Sequence, residues 1–277
     1  MKIIWGMLEP LQEYQILAKK FNEKIKDLTK GQVEVDIVLF DKDPTNPIKE
    51  IENGKLDIYQ IPTTQLRGLL PEHTWLKVWE VPFLFKTPDH VEDYINSLRT
   101  ADNLKSLESE KVLALTYSYA GGFCGTVTKR NKKVEDYSSL NTIEYSKYEY
   151  EDMSLENFLV NIYQHLPSSI LMYEVNELLK LHPECKKLIN VDISGHLIVS
   201  RITMLSKDTL SKIPDQFRED FVHLLYELLE EERGIIYDRA LKNTEALVAD
   251  GVIGCNEGIS QDSEFLNECT YISSIQF

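Results

Sequence analysis

The sequence predicts an α/β fold with a mainly parallel sheet, organised around one unusually long helix. Three observations carry this. Strand-like and helix-like patterns alternate from Lys2 to Tyr117, the signature of strands joined by packed helices. Between Pro214 and Ala249, Phe217, Phe221, Leu224, Leu225, Leu228, Ile235 and Ile236 recur at spacings of three, four and seven, an amphipathic stripe. The composition, 43% hydrophobic and 27% charged over 277 residues, is that of a globular chain long enough for one or two domains.

The elements follow in order. Lys2–Met7 reads as a short buried strand ending at Gly6. A helix from about Leu11 to Leu28 carries Tyr14, Leu17, Ala18, Phe21 and Ile25 on one face, and Thr29–Gly31 closes it. Val33–Phe40 alternates as a second strand, and Asp41–Pro47 is a turn-rich loop. Ile48–Asn53 forms a short helix stopped by Gly54, and Leu56–Ile61 is a third strand. Trp79–Phe85 is an apolar segment broken by Pro82, a helix spans about Pro88–Leu98, and Val112–Tyr117 is another strand.

The long helix is expected to be roughly 50 Å in length, enough to lie along two lobes and tie them together. Pro214 suits its first position, Asp215 and Glu219 favour the positive N-terminal end, and Gly251 supplies a stop. Glu227, Glu230, Glu231, Glu232, Arg233, Asp238 and Arg239 exclude a transmembrane span. Glu230–Glu232 reads as a solvated face of that helix, favoured over an acidic contact site.

A formal net charge of -15 argues against a nucleic-acid or acidic-membrane partner. Neither a P-loop nor a dinucleotide fingerprint is found. Ile3–Leu8 is too short for the apolar core of a signal peptide, and Glu9 interrupts it. Two expectations remain: a cytoplasmic protein, or a mature form with Met1 added for expression.

Four segments carry a family resemblance. Ala18–Val35 resembles the first helix–turn–strand of TRAP transporter substrate-binding proteins, the DctP-type periplasmic solute receptors. Ile51–Ile58 is similar to their helix ending in Gly before a strand with Leu-Asp, and Val81–Phe85 to their Leu-Pro-Phe-Leu-Phe segment. Gly195–Asp215 resembles the strand and Leu-Pro that open their long helix. The similarity runs over residues 1–145 and about 186–251. It implies a two-lobed periplasmic binding protein-like fold, type II-like, with the long helix spanning both lobes. Lobe I would be 1–118 plus 198–246, and lobe II 119–197 plus 247–277, hinged around a ligand cleft.

The same resemblance implies a non-enzymatic, monomeric, extracytoplasmic solute receptor without cofactor or metal. Its partners would be a small-molecule solute and the membrane subunits of a TRAP transporter, not nucleic acid. Glu9, Thr63, Thr64, Tyr119, Phe123, Glu144, Tyr145, Glu174, Asn176 and Arg201 form the candidate ligand-binding set.

This chain departs from the family at the cleft. The family places an Arg within the stretch matching Tyr119–Thr126, where Phe123 or Cys124 stands here. A second Arg, which clamps a ligand carboxylate, falls on Ile143 or Glu144. Neither pair can bind a carboxylate, and a charged Glu144 would repel one. Arg130 is placed past the cleft, on the lobe II surface. Lobe II is also short between Tyr145 and Ser168; Tyr145, Tyr148 and Tyr150 are either an aromatic pocket wall or half-buried strand residues. The ligand is therefore expected to be neutral, cationic or largely apolar. Arg201 is the alternative: turned into the cleft it would restore acid binding, and turned to solvent it would not.

Cys124, Cys185, Cys255 and Cys269 all fall in lobe II and allow three pairings. A Cys255–Cys269 bridge is the first expectation, since an oxidising periplasm would favour bracing that segment. His182 and Cys185 lack the partner pair of a zinc site. A catalytic Cys124 and a catalytic His196 are the less favoured readings beside structural ones. Two other function classes stay open: a ligand-less interaction or scaffold module derived from the same fold, and an enzyme on a two-lobed scaffold.

Overall fold

β1 (Lys2–Leu8) runs parallel to both β2 (Glu34–Phe40) and β3 (Ile58–Pro62), with Ile4 opposite Asp36 and Trp5 opposite Ile58. The computed structural model describes residues 1–8, 12–40, 44–85, 88–129, 141–142, 168–171, 179, 183, 189–192 and 197–249. The chain groups into two units. Unit 1 comprises Met1–Leu76, Asp89–Ala120 and Ser200–Ile236; unit 2 comprises Lys77–Pro88, Gly121–Val199 and Tyr237–Phe277.

Unit 1 is built on strands in the order β2-β1-β3-β8-β4, where β4 is Val112–Lys129 and β8 is Ile198–Ser206. Helix α1 (Gln12–Leu28) packs its apolar stripe inward: Tyr14, Leu17, Ala18, Phe21 and Ile25 are all buried, as the spacing predicts. An aromatic column follows. Trp5 of β1 meets Phe21 at 5.7 Å, and Phe21 meets Phe221 of the long helix at 5.4 Å, both edge-on. The turn after α1 needs left-handed backbone, at Lys30 (φ 52°) and Gly31 (φ 78°), and the Gly31 N–H returns to the Lys26 carbonyl at 2.8 Å. At Gly6 the need is space: a Cβ there would lie 2.7 Å from the Tyr59 ring.

The Leu-Asp pair before β3 has a clear structural role. Asp57 accepts the Ile4 N–H of β1 at 2.6 Å and the Thr209 hydroxyl of α6 (Lys207–Lys212). One carboxylate thus ties the start of β3 to β1 and to a helix 152 residues on.

Several expected elements change. The sheet is mixed, because β8 returns antiparallel to β3, and β6 (Ser168–Leu171) and β7 (Ile189–Asp192) pair antiparallel with β4. β5 (Asn141–Thr142) runs parallel to β6. The strand expected to end at Tyr117 continues through Gly121 and Gly122 to Lys129, so β4 passes from unit 1 into unit 2. The helix expected to reach Leu98 is two helices: α4 (Pro88–Ile95) ends, and Ser97 caps α5 (Leu98–Ser106) by accepting the Thr100 N–H at 3.2 Å. Between β3 and α4 stand α2's successor α3 (Thr63–Leu69) and a 3-10 helix (Thr74–Glu80); α2 itself is Pro47–Glu52. The Trp79–Phe85 segment packs its end rings at 5.0 Å and turns at Phe83 with φ 59°.

α7 (Asp215–Ala249) is the long helix, 35 residues, with Pro214 immediately before it. It leaves unit 1 after Ile236. Its buried line runs Phe221, Leu225, Leu228, Leu229, Glu232, Arg233, Ile236 and Ala240. The solvated Glu230–Glu232 face is therefore corrected: Glu230 and Glu231 are exposed, but Glu232 is 1% exposed. At 3.6 residues per turn, Glu232 lies between Leu228 and Ile236 on the apolar stripe. No helix among the described residues is long and apolar enough to cross a membrane.

Candidate functional site

The register of β3 on β8 sets Gln60 opposite Thr203 and Pro62 opposite Arg201. Cross-strand partners share a face and residues two apart share a face, so Gln60, Thr203 and Arg201 line one side of the sheet. Glu232 and Arg233 on α7 descend onto it. Gln60 Nε2 donates to both oxygens of Glu232 at 2.9 Å, and Arg201 Nη1 donates to the Gln60 carbonyl at 2.9 Å. Arg233 grips Glu92 of α4 with a two-pronged contact, Nε to Oε1 at 2.8 Å and Nη2 to Oε2 at 2.9 Å. Its third nitrogen, Nη1, donates to the Tyr117 carbonyl of β4 at 3.0 Å. Tyr119 completes the group: its hydroxyl donates to Glu92 at 3.3 Å, and its carbonyl accepts from Tyr14.

Burial sets the electrostatics. It raises the Glu232 carboxyl, and even with the Gln60 hydrogen bond and the Arg201 and Arg233 charges pulling the other way the result stands at about 8 against the ordinary 4.5. Buried polar groups of both signs thus meet on a dry face of unit 1, at the ends of the β4, β8 and α7 segments that belong to it. Beside this cluster, a groove of about 500 Å³ is lined by Leu104, Lys105, Leu115, Tyr226, Glu230 and Arg233. Tyr226 crosses it to donate to the Leu115 carbonyl at 2.8 Å. Among the described residues, no group of three or more His, Cys, Asp or Glu is placed to hold a metal ion.

Residues 7–141 match the sequence model of the bacterial extracellular solute-binding proteins of family 7, DctP. A TRAP periplasmic solute-binding protein of Pseudomonas aeruginosa PAO1, solved with bound L-malate, superposes with a TM-score of 0.73 at 13% identity, covering 99% of each chain. One from Ochrobactrum anthropi gives 0.72 at 11% identity, covering 100% of this chain and 89% of its own. A third, from Sulfurospirillum deleyianum with bound succinate, gives 0.67 at 17% identity, covering 99% and 93%. Comparison with curated protein sequences finds no match.

Over residues 7–141 the chain is similar to the DctP solute-binding proteins, and its fold is that of the TRAP receptors.

In this chain the expected ligand-binding residues fall in different places. Arg201 is 6% exposed, and the solvent-facing alternative for it is overturned: it lies on the face that α7 covers. Thr63 is 2% exposed and committed to Ser200, at 3.2 Å from its carbonyl and 3.1 Å from its hydroxyl. Thr64, next on α3, is exposed. Tyr119 joins the Glu92–Arg233 pair. Phe123, in unit 2, is buried with its ring 5.7 Å from that of Tyr237. Glu9, Glu144, Tyr145, Glu174 and Asn176 lie outside the described residues, as do Arg130, His182, His196, Tyr148, Tyr150, Cys185, Cys255 and Cys269. Cys124 is buried on β4, and its N–H donates to the Leu197 carbonyl at 2.8 Å.

The structure brings Arg201, Thr63 and Tyr119 into unit 1 and adds four residues the sequence reading passed over: Gln60, Glu92, Glu232 and Arg233. A signal for Glu232 was present. Leu228 and Ile235 are seven apart, and a core-facing helix does not skip a turn, so something at 231 or 232 had to face inward.

Proposed function

We propose that this chain is the extracytoplasmic solute receptor of a TRAP-type secondary transporter, non-enzymatic, handing a small molecule to membrane subunits. The observation that carries the reading is the family match over residues 7–141 within a fold that follows TRAP receptors over 99% of both chains. Two of the three solved relatives named above hold malate and succinate.

For this chain we propose a different solute class: neutral, cationic or largely apolar. Its support lies at the first family arginine position, where Phe123 and Cys124 are both buried and neither can pair with a carboxylate. The Arg201 guanidinium, which would restore acid binding, already donates to the Gln60 carbonyl and sits beside Glu232. Calorimetric titration with succinate, a primary amine and an uncharged solute of similar size tests the class. Succinate is expected to give no heat of specific binding. Tight succinate binding that vanishes in Arg201→Ala would reverse the charge of the pocket, and no response to any small molecule would favour a ligand-less scaffold instead.

A further inference from the structure

One pair of side chains joins β3 to α7 by chemistry that solute reception does not call on. Both oxygens of the buried Glu232 carboxyl share a single amide nitrogen, Gln60 Nε2. Among the described residues it forms no ion pair. Arg233, its neighbour on α7, is turned to Glu92 and to the Tyr117 carbonyl, and Arg201 on β8 sends Nη1 to the Gln60 carbonyl. On the remaining elements, Tyr117 and Tyr119 come from β4, and Tyr14 comes from α1. Lys20 of α1 pairs with Glu231, on the exposed side of the same turn. Thr203, the register partner of Gln60, adds on the same sheet face a fully buried hydroxyl with no hydrogen-bond partner among the described residues.

A carboxylate removed from water and met by one amide is a costly arrangement, while a carboxylic acid in the same place is not. The acid form also supplies the missing hydrogen bond. With the Gln60 amide reversed, Oε1 faces the carboxyl and accepts its O–H, an orientation that heavy-atom positions leave open. The Thr203 hydroxyl is a further acceptor on that face. We propose that Glu232 carries a proton at neutral pH, forming an acid–amide latch with Gln60 that fastens α7 to β3 and loosens as the medium turns alkaline. The latch sits one helical turn before Ile236, where α7 leaves unit 1. On the extracytoplasmic reading given above it meets the pH of the medium directly; the latch itself does not depend on that reading.

The direction of the pH effect follows from the raised carboxyl, at about 8 against 4.5. The folded chain keeps this proton to higher pH than the unfolded chain does. Stability from the latch is whole below about pH 4.5, is lost as pH rises to about 8, and is constant above. Inside that window the folding equilibrium constant falls about tenfold per pH unit from this one group.

Urea unfolding of the full chain across the window, compared with Glu232→Gln, reads this slope without any ligand. The variant mimics the protonated acid, so the difference between the two chains isolates one proton. Wild type losing about tenfold per unit relative to the variant supports the latch; parallel pH profiles overturn it. Infrared spectra of the wild type keep the question decidable if the variant does not fold. The C=O stretch of a protonated carboxylic acid, present at about pH 6 and gone at about pH 10, is expected. Its absence at about pH 6 would mean an ionised Glu232 and no latch.

Discussion

Two stretches of α7 do opposite things with the same stripe. Around Phe221 the helix buries an aromatic ring against Phe21, which itself meets Trp5, and no charge is involved. Around Glu232 the helix buries a carboxyl and a guanidinium against Gln60, Glu92 and the β4 carbonyls. The first contact gains from every apolar atom removed from water. The second must offset desolvation with directed hydrogen bonds, and replacing such a group with an apolar one is often neutral. The contrast teaches where this unit stores stability and where it stores sensitivity to conditions. The aromatic column is indifferent to pH and salt; the polar cluster is not.

The contrast can be broken by substitution, beginning at the column. Phe221→Ala empties a site of 0% exposure and is expected to lower the unfolding free energy by about 3–5 kcal/mol, read from urea denaturation. A loss under about 1 kcal/mol would mean that the column is not the core of unit 1. Its effect should not vary with pH.

Next comes the ion pair. Arg233→Met keeps the stem but leaves Glu92 without its fork and removes the Arg233 hydrogen bond to the Tyr117 carbonyl. The full cost of breaking a buried pair is discounted here because the Glu92 side chain is 35% exposed, leaving about 2–3 kcal/mol. A stabilised Arg233→Met chain would instead place this pair among those kept for reasons other than stability.

The smallest effect lies one residue from the latch. Lys20 and Glu231 meet at 2.5 Å, yet their side chains are 43% and 39% exposed. Lys20→Ala should change stability by no more than about 0.5 kcal/mol, and by less still at high salt. Neighbouring glutamates on one turn of one helix would then differ in kind, Glu231 solvated and Glu232 structural.

Much of unit 1 was legible in advance. α1 could be read residue by residue, since Tyr14, Leu17, Ala18, Phe21 and Ile25 form one stripe and Gly31 ends it. The 35-residue span of α7 was equally clear, because its stripe is long and closes at a glycine. α5 was missed because its buried line is short and partly polar: Thr100 and Leu104 face inward, while Leu98 is 88% exposed.

Local pattern by itself determined β1, α1, β2, α2, β3 and α7, because amphipathic spacing and turn residues act within a few positions of one another. What the tertiary structure alone decided is the polar cluster. Gln60 and Glu232 stand 172 residues apart, Arg233 and Glu92 141 apart, and each looks solvent-facing in its own segment. Their burial depends on β8 returning antiparallel to β3 and on α7 crossing that face. The energy of a charge depends on everything that surrounds it, and those surroundings exist only once distant strands and helices have packed.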